Sequence, residues 1–365
     1  MLRIRKSFSA EYECEGSVGC TVLSILSSYN GEYAPKIQIL LTANGQEDPF
    51  YKSHIYRIGK AAEYTRKEWR VPPMFLPNMK LTVHIEIPDG TELCVKAIGM
   101  MPDTPRCELG AGLCHNAHLG FWGLAPDNTL PAFEIAAACG FPACIVVPKV
   151  TADGRLVCIH DDTINKTARD KDGNAPEEPI YVWDKTYEEL CEWEYGSYKN
   201  PIYKGTRMPL LSDFFDLCAK AGMIPMFSTH PGLTVEQWQE VKEMLLKRGL
   251  LKKFHVKSFH VDILQTAYSV LGTDIDGYTY DVGRCQPSSI DALLNSGIDL
   301  KACRVGIEVD FRYYTEEVAK SILDAGFFAA AWNVKRRDIE EYEQLISWGV
   351  TEFTEDYHCS MGLNY

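Results

Sequence analysis

Short apolar runs alternate with amphipathic stretches from about residue 113 to the end of the chain. The runs are rich in branched and aromatic side chains, which is typical of buried parallel strands, and the stretches between them have helical spacing. The predicted strands begin near Leu113, Ala143, Ile224, Phe254, Asp276, Ala302, Phe327 and Thr351. The predicted helices cover residues 128–139, 212–221, 235–248, 261–270, 287–295, 315–324 and 337–347. Eight such units in about 250 residues predict an α/β fold, a (β/α)8 TIM barrel.

The first hundred residues follow a different pattern. Apolar and polar residues alternate over 20–26, 37–41, 80–87 and 92–98, with Asn-Gly, Pro-Asn and Pro-Asp-Gly turns between these segments. Alternation of this kind predicts an all-β sandwich, and its general character is jelly-roll-like. A Pro-rich joint at 101–106 predicts a sandwich domain over 1–107 and a barrel domain over 108–365. Carbohydrate binding, a structural role and homo-oligomer formation through the sandwich all stay open.

One connection in the barrel pattern is unusually long. Residues 161–207 lack a strong helical period, and residues 170–179 are polar with Gly and Pro as turn makers. We expect an insertion over the carboxyl-terminal face of the barrel, where active sites of this fold lie. Its aromatic residues either line a pocket or, as we expect for most of them, pack the insertion onto the barrel. These residues are Tyr181, Trp183, Trp193, Tyr195 and Tyr198.

The charge of the chain limits its partners. The net charge of −13 makes nucleic acid an unfavourable partner, because nucleic acids are bound mainly through clustered cations. The 13 cysteines are scattered, which favours buried reduced thiols over a disulfide framework. The first residues contain no apolar signal segment, and no run of 18 apolar residues occurs. We therefore expect a cytoplasmic protein without integral membrane contact.

Four short motifs occur in a fixed order around the first two barrel strands. They are His118-x-Gly120, Pro126-Asp-Asn-Thr129, Asp153-Gly154 and His160-Asp-x-Thr163. This order resembles the glycerophosphodiester phosphodiesterases, and residues 207–211, 256–259, 331–334 and 349–356 are similar to later landmarks of that family. The resemblance spans about residues 113–359. It implies a TIM barrel that hydrolyses a small-molecule phosphodiester with two histidines and a divalent cation.

The two histidines suit the chemistry of phosphodiester cleavage. Proton transfer is needed at the attacking and at the leaving oxygen, and imidazole titrates close to neutral pH. The resemblance implies that His118 is the nucleophile or base and that His160 is the general acid. Each histidine follows a predicted strand, so we expect both at the carboxyl-terminal mouth of the barrel.

The metal site implied by the resemblance lacks its ligands. The family's Glu-x-Asp pair falls on Ile145 and Val147, and its later glutamate falls on Ser228. Leu119 replaces the arginine that follows the first histidine in the family, and Asp127 replaces the glutamate of the family's Pro-Glu-Asn-Thr motif. Magnesium and calcium, the cations typical of the family, need several oxygen ligands. We therefore expect no metal and no other cofactor.

Other side chains are candidates for replacing the cation and binding substrate. Lys149 follows Ile145 and Val147 at alternate positions of one strand, so its ammonium either substitutes for the metal or lies exposed at the strand end. His230 is a candidate second donor. Asp127, Trp332 and Tyr280 are candidate pocket residues, with core packing as the alternative for the aromatic side chains.

Three hypotheses for the function follow from these residues. The first is a phosphoric diester hydrolase that uses His118 and His160 without the usual metal. The second is a catalytically inactive barrel that binds a phosphate-containing or other small anionic ligand, which the loss of every metal-ligand carboxylate favours. The third is a new metal site assembled from Asp127, Asp161 and a histidine. Fold alone does not decide among them, because function depends on the site.

Overall fold

The computed structural model of the protein describes residues 2–14, 20–43, 46–49, 51–53, 55–71, 79–103, 113–138, 140–332 and 339–355. The predicted domain boundary at 107/108 lies outside the described residues. The same holds for Asn333, Val334 and Asp356 of the motifs above, and for the first two residues of the helix predicted over 337–347.

Two antiparallel sheets form the N-terminal part of the chain. Their strands are β1 (Leu2–Ile4), β2 (Phe8–Cys14), β3 (Cys20–Asn30), β4 (Lys36–Ala43), β5 (Tyr51–Lys52), β6 (Tyr56–Arg57), β7 (Thr65–Val71), β8 (Met79–Glu86) and β9 (Glu92–Asp103). One sheet has the order β1-β9-β3-β7, and the other has the order β2-β8-β4-β5, with β6 also paired to β4. Alternate residues of both sheets, such as Leu23, Trp69, Ile39 and Val83, are buried in one hydrophobic cluster.

The second part of the chain is a closed barrel of eight parallel strands, which confirms the predicted (β/α)8 architecture. The strands after β9 are β10 (Cys114–Ala117), β11 (Ala143–Val146), β12 (Pro148–Val150), β13 (Leu156–Cys158), β14 (Ile224–Ser228), β15 (His255–Ser258), β16 (Gly277–Val282), β17 (Arg304–Asp310), β18 (Phe328–Trp332) and β19 (Val350–Glu355). The short strands β12 and β13 pair as an antiparallel hairpin above the second barrel strand, and Val157 of β13 also bridges to Leu210. Strand β10 pairs with both β11 and β19 and so closes the barrel.

The eight helices of the described residues are α1 (Leu130–Ala138), α2 (Tyr187–Leu190), α3 (Leu211–Ala221), α4 (Val235–Lys247), α5 (Val261–Leu271), α6 (Pro287–Leu294), α7 (Glu316–Asp324) and α8 (Ile339–Ser347). Seven of them lie at the predicted positions between the barrel strands, and the short α2 lies in the insertion, where no helix was predicted. Short 3-10 helices lie at Val182–Asp184, Pro201–Tyr203, Leu251–Lys253 and Phe311–Tyr313. Among the described residues, no helix has both the length and the apolar character needed to span a lipid bilayer.

The insertion at 161–207 packs around a hydrophobic cluster of its own. This insertion cluster contains Val157, Ile159, Ile164, Ala168, Val182, Leu190, Tyr195 and Met208, with Trp193 and Tyr187 packed against it. Tyr181 and Trp183 stack on each other at 5.1 Å between ring centroids and are about 40% exposed. Trp193 and Tyr195 therefore pack within the insertion rather than onto the barrel, whereas Tyr181 and Trp183 are partly exposed.

The interior of the barrel is divided into an apolar side and an ionic side. Ala143, Ile145 and Met226, on the second and third barrel strands, form a small apolar cluster. On the other side, Arg304 forms an ion pair with the buried Glu352, and the buried His255 bonds Asp276 at 2.8 Å and Thr279 at 2.7 Å. Gly306 is required here, because a Cβ at this position would lie 2.3 Å from the Phe328 ring. The apolar cluster therefore lies on β11 and β14, and the polar groups lie on β15, β17 and β19 and next to β16.

Candidate active site

A cavity of about 320 Å³ opens at the carboxyl-terminal ends of the barrel strands. Every barrel strand, or the segment that follows it, contributes to the wall. The lining residues are His118, Ile145, Val147, His160, Ser228, His230, Lys257, Phe259, Asp281, Glu308, Trp332 and Thr354. The structure thus brings both predicted catalytic histidines into one cavity.

A sharp turn directly after β10 positions His118. Leu119 and Gly120 both have positive φ, 55° and 80°, and a Cβ on Gly120 would lie 2.6 Å from the Ala132 Cβ. The glycine of the His118-x-Gly120 motif is therefore needed for its backbone conformation and for close contact with α1. The Leu119 carbonyl accepts a hydrogen bond from the Asn128 backbone N–H at 2.9 Å, which closes the loop.

The Asp127-Asn128 pair supports this loop from behind the cavity. Asn128, at φ 52°, accepts a hydrogen bond on Oδ1 from the Val147 N–H at 3.0 Å. The buried Asp127 carboxylate accepts a hydrogen bond from the Tyr198 hydroxyl at 2.8 Å, and that hydroxyl accepts one from the Asp127 N–H at 3.0 Å. Asp127 does not line the cavity. Its contacts join the insertion to the loop that carries His118.

His160 follows the β12–β13 hairpin and is oriented by its neighbour. Its Nδ1 lies 2.7 Å from Asp161 Oδ1, and Lys166 Nζ lies 3.5 Å from the other carboxylate oxygen. Partial burial opposes ionisation of Asp161, but the hydrogen bond from His160 and the Lys166 ammonium hold the pKa of that carboxyl below its usual value. The carboxylate therefore favours a proton on His160 Nδ1. The His230 ring centroid lies 6.5 Å from that of His160.

The positions of the missing metal ligands face the cavity. Ile145, Val147 and Ser228 all line it, so the carboxylates expected from the family resemblance are replaced by two apolar side chains and one hydroxyl. Among the residues that the structure describes, no group of three or more His, Cys, Asp or Glu side chains could hold a metal ion. The donor set present does not fit the magnesium or calcium site that the resemblance implies.

Lys149 lies beside the cavity and does not line it. The chain leaves the barrel after β11, and the buried Lys149 ammonium contacts Asp162 Oδ1 at 2.6 Å and the His230 carbonyl at 3.1 Å. This ammonium therefore links the insertion to the segment that follows the third barrel strand. The structure does not place it at the former metal position, where the sequence-based hypothesis puts it.

The two predicted aromatic pocket residues have different positions. Trp332 lines the cavity, donates from Nε1 to the Val282 carbonyl at 3.2 Å and meets the Phe259 ring edge to face at 5.8 Å. Tyr280 does not line it and packs against the main hydrophobic core. Successive side chains of a strand point to opposite faces, and Asp281, the next residue, faces the cavity. Tyr280 therefore points toward the helices, and burial raises its pKa.

Four polar residues of the cavity were missed by the sequence interpretation. Lys257 Nζ lies 2.5 Å from Glu308 Oε2 and donates to Thr354 Oγ1 at 2.9 Å. The Thr354 hydroxyl donates to Glu308 Oε1 at 2.6 Å. We call Lys257, Asp281, Glu308 and Thr354 the floor cluster; they are 1%, 4%, 2% and 6% exposed.

The two carboxyl groups of the floor cluster differ in charge. Burial raises the pKa of Asp281 well above its usual value, and the neighbouring Glu308 adds to the shift. Burial also opposes ionisation of Glu308, but the Lys257 ammonium outweighs it and holds the pKa of Glu308 below its usual value. The Lys257 ammonium and the Glu308 carboxylate therefore form a buried ion pair, and burial beside that carboxylate favours the neutral form of Asp281.

A pH series on Asp281→Asn tests this assignment. Because the folded-state pKa of Asp281 is raised, its stabilising contribution is complete below the unfolded-state pKa of about 3.9 and declines as the pH rises toward the folded-state pKa. Asparagine is neutral at every pH. Measured in urea, the free energy of unfolding of Asp281→Asn should therefore increase relative to that of wild type from pH 4 to pH 8. A constant difference across this range would show that Asp281 is ionised in the folded protein.

Comparison with known proteins identifies relatives of the barrel. Residues 118–357 match the sequence model of the Glycerophosphoryl diester phosphodiesterase family, which is well over half of the chain. The glycerophosphodiester phosphodiesterase of Bacillus altitudinis is 36% identical over 104 residues, which are 28% of this chain and 38% of that protein. The glycerophosphodiester phosphodiesterase of Caldanaerobacter subterraneus subsp. tengcongensis is 28% identical over 131 residues, 36% of this chain and 50% of that protein. The chain thus aligns with at most half the length of these two relatives.

A solved structure shows the same barrel fold. A phosphodiesterase of Oleispira antarctica, solved in complex with the product sn-glycerol-3-phosphate, superposes with a TM-score of 0.58 at 20% identity, over 68% of this chain and 94% of that one. At this identity the likeness supports the fold alone. The family match extends from His118 through the last barrel strand, so it includes both histidine motifs. The chain belongs to the glycerophosphoryl diester phosphodiesterase family.

Proposed function

We propose that this protein hydrolyses small glycerophosphodiesters with His118 and His160 and without the family's divalent cation. One observation carries the proposal. Both imidazoles line the same cavity, and the former metal positions in its wall are Ile145, Val147 and Ser228. The cavity of about 320 Å³ is at the small end of ligand sites, which favours a compact diester.

The proposed reaction uses the two histidines at opposite ends of the bond that breaks. In one route His118 removes a proton from water, whose oxygen bonds to phosphorus as the phosphorus–oxygen bond to the alcohol breaks. In the other route a His118 nitrogen bonds to phosphorus as that bond breaks, and water then cleaves the phosphorus–nitrogen bond and regenerates the imidazole. His160 gives its proton to the departing alcohol oxygen. The Asp161 carboxylate, 2.7 Å from His160 Nδ1, stabilises the imidazolium before transfer and fixes the orientation of the ring.

The other predicted site residues take supporting roles in this proposal. His230 and Trp332 line the cavity and are proposed as substrate contacts. Lys149 holds the His230 backbone carbonyl and Asp127 holds Tyr198, so both act as positioning residues. Tyr280 packs behind the cavity wall.

Metal removal tests the proposal. Turnover of glycerophosphoethanolamine should continue after EDTA treatment, since no carboxylate remains at the ligand positions. Added magnesium or calcium should neither bind with micromolar affinity nor raise the melting temperature. Turnover that is lost in EDTA and restored by calcium would contradict the proposal. If that calcium affinity disappears in Asp127→Asn or Asp161→Asn, the new metal site is the correct hypothesis.

A non-catalytic binding protein is the second candidate. The replacement of the metal ligands by Ile145, Val147 and Ser228 favours it, because a metal acting as Lewis acid supplies several kcal/mol of transition-state stabilisation. Wild-type protein that binds glycerol 3-phosphate but hydrolyses no glycerophosphodiester or lysophospholipid would establish this candidate and exclude the hydrolase.

We further propose that residues 1–107 form a jelly-roll accessory domain of a cytoplasmic protein. If β5 and β6 are counted as one interrupted strand along β4, the two sheets have four strands each, which supports the eight-stranded jelly roll. Homo-oligomer formation through this domain is a proposal that sedimentation of the full chain tests. A mass equal to one chain at all concentrations would exclude it.

A further inference from the structure

One segment of the insertion, residues 198–203, is bonded to the loop that follows the first barrel strand. We call it the bridge segment. At its start, the Tyr198 hydroxyl donates to the Asp127 carboxylate and accepts from the Asp127 N–H. At its end, the buried Tyr203 donates its hydroxyl proton to the Leu124 carbonyl at 3.0 Å. The bridge segment is therefore attached to this loop at both of its ends.

The same segment reaches His118 through one aromatic side chain. Lys199 Nζ lies 5.1 Å from the centre of the Trp122 ring, within the range of a cation–π interaction. The Trp122 ring in turn meets the His118 imidazole at 83°, with 6.3 Å between the ring centroids, which is a favourable edge-to-face geometry. Trp122 does not line the cavity. It therefore contacts the imidazole without belonging to the wall that a substrate meets.

The N-terminal sandwich contacts the middle of the bridge segment. Asn200 is 5% exposed, and its Nδ2 donates at 2.9 Å to Oε1 of Gln46, which lies between β4 and β5 of the sandwich. The Asn200 Oδ1 accepts from the Ile202 N–H at 3.1 Å and so caps the 3-10 helix that carries Tyr203. One buried amide thus bonds both to the sandwich and to the segment that supports the His118 loop.

We infer that Trp122 and Asn200 are positioning residues for His118, and that the N-terminal sandwich holds the catalytic imidazole in place through the bridge segment. This inference rests on the proposed function for the catalytic role of His118. Support of this kind affects the rate strongly, because a displacement of about 1 Å in a catalytic site can cost about a hundredfold in turnover.

Turnover of glycerophosphoethanolamine in EDTA tests the role of Trp122. Trp122→Leu removes the flat ring and should lower kcat about ten- to hundredfold. KM should change less than about threefold, because Trp122 is not part of the cavity wall. Trp122→Phe keeps a ring at this position and should retain most of kcat. Trp183→Leu is the matched control, since Trp183 stacks on Tyr181 in the insertion and does not line the cavity, and it should keep the wild-type kcat.

Gln46→Ala tests the contribution of the sandwich. It removes one hydrogen bond to the bridge segment and should lower kcat about two- to tenfold. The same change should have a smaller effect in Trp122→Leu, because the ring that joins the bridge segment to the imidazole is already absent. Gln38→Ala is the matched control. Its hydrogen bond to the Ser53 carbonyl, at 3.0 Å, lies inside the sandwich, and its loss should leave kcat unchanged.

The imidazole resonances of His118 give a readout that does not depend on turnover. An aromatic ring shifts the resonances of protons beside it, so the His118 signal, identified by its loss in His118→Ala, should move in Trp122→Leu. It should also move or broaden in Gln46→Ala and stay unchanged in Gln38→Ala. Melting temperatures confirm that each variant is folded, and Gln46→Ala alone decides if Trp122→Leu does not fold.

The two readouts separate this inference from the proposed function. A protein without turnover whose His118 resonance follows Trp122 and Gln46 would support the inference and contradict only the hydrolase function. A His118 resonance that is unchanged in Trp122→Leu or in Gln46→Ala would overturn the inference, whether or not wild type is active. An active protein in which Gln38→Ala lowers kcat as much as Gln46→Ala does would overturn it as well.

Discussion

Replacing either His118 or His160 with alanine should lower turnover of glycerophosphoethanolamine about 10²- to 10⁴-fold in EDTA-treated protein. Each imidazole handles a proton at one end of the bond that breaks, so neither substitution is compensated by the other histidine. Both side chains line the cavity and are only partly buried, so the variants should stay folded. Steady-state kinetics should show the loss in kcat, while the affinity for glycerol 3-phosphate changes much less.

His84→Ala is the matched control for this series. That histidine lies on β8, outside the barrel, with its ring 2.9 Å from the Ser9 hydroxyl, and its removal should leave turnover unchanged. Asp161→Asn removes the carboxylate beside His160 Nδ1 and should lower turnover nearly as much as His160→Ala does. Turnover within threefold of wild type in His118→Ala would exclude the two-histidine mechanism.

Lys257→Met should reduce the free energy of unfolding by about 3–5 kcal/mol, because it leaves the Glu308 carboxylate buried without its counterion. Lys257 and Glu308 are only 1% and 2% exposed, so bulk water solvates the remaining carboxylate poorly. Equilibrium unfolding in urea at pH 7 measures the change, taken from the unfolding transition of the barrel. The loss should shrink as the pH falls through the pKa of Glu308, because a neutral carboxyl needs no counterion.

A double variant separates the charge from the packing in this prediction. Lys257→Met combined with Glu308→Gln removes both charges and should recover most of the stability. Lys320→Met removes an exposed pair with Asp324 and should cost less than about 1 kcal/mol. If Lys257→Met also lowered the free energy of unfolding by less than about 1 kcal/mol, Glu308 would be protonated at neutral pH and the floor cluster would hold no ion pair.

The barrel could be predicted from sequence because its signals are local. Eight branched apolar runs alternate with seven amphipathic stretches, and the helices predicted from Val235, Val261 and Pro287 begin at those residues. The N-terminal strands β1, β2, β5, β6 and β7 were missed. Of these, β1, β5 and β6 have only two or three residues, which are too few to show an alternating pattern. Their pairing depends on partners distant in the sequence.

The site was only partly predictable, for reasons that individual residues show. The histidine motifs identify His118 and His160, whose placement depends on turns close by in the chain. Lys257, Asp281 and Glu308 come from three separate strands, and their ion pair exists only after the barrel closes. A signal was available, because each is a charged residue inside a short barrel strand. The predicted position of the Lys149 side chain was wrong, because the prediction assumed that the strand continues past Val146. The barrel strand ends there and the chain leaves the barrel.

The separate hydrophobic core of the insertion has a consequence for the proposed catalysis. His118 is attached to the main barrel core, whereas His160 follows a hairpin whose Val157 and Ile159 belong to the insertion cluster. Segments with their own small core open independently of the rest of a protein and at lower free energy. Each opening would carry His160 away from His118. Because Leu156 and Cys158 of the same hairpin pack in the main core, the fraction of molecules with an assembled catalytic pair should depend on the local stability of residues 161–207 as well as on the stability of the barrel.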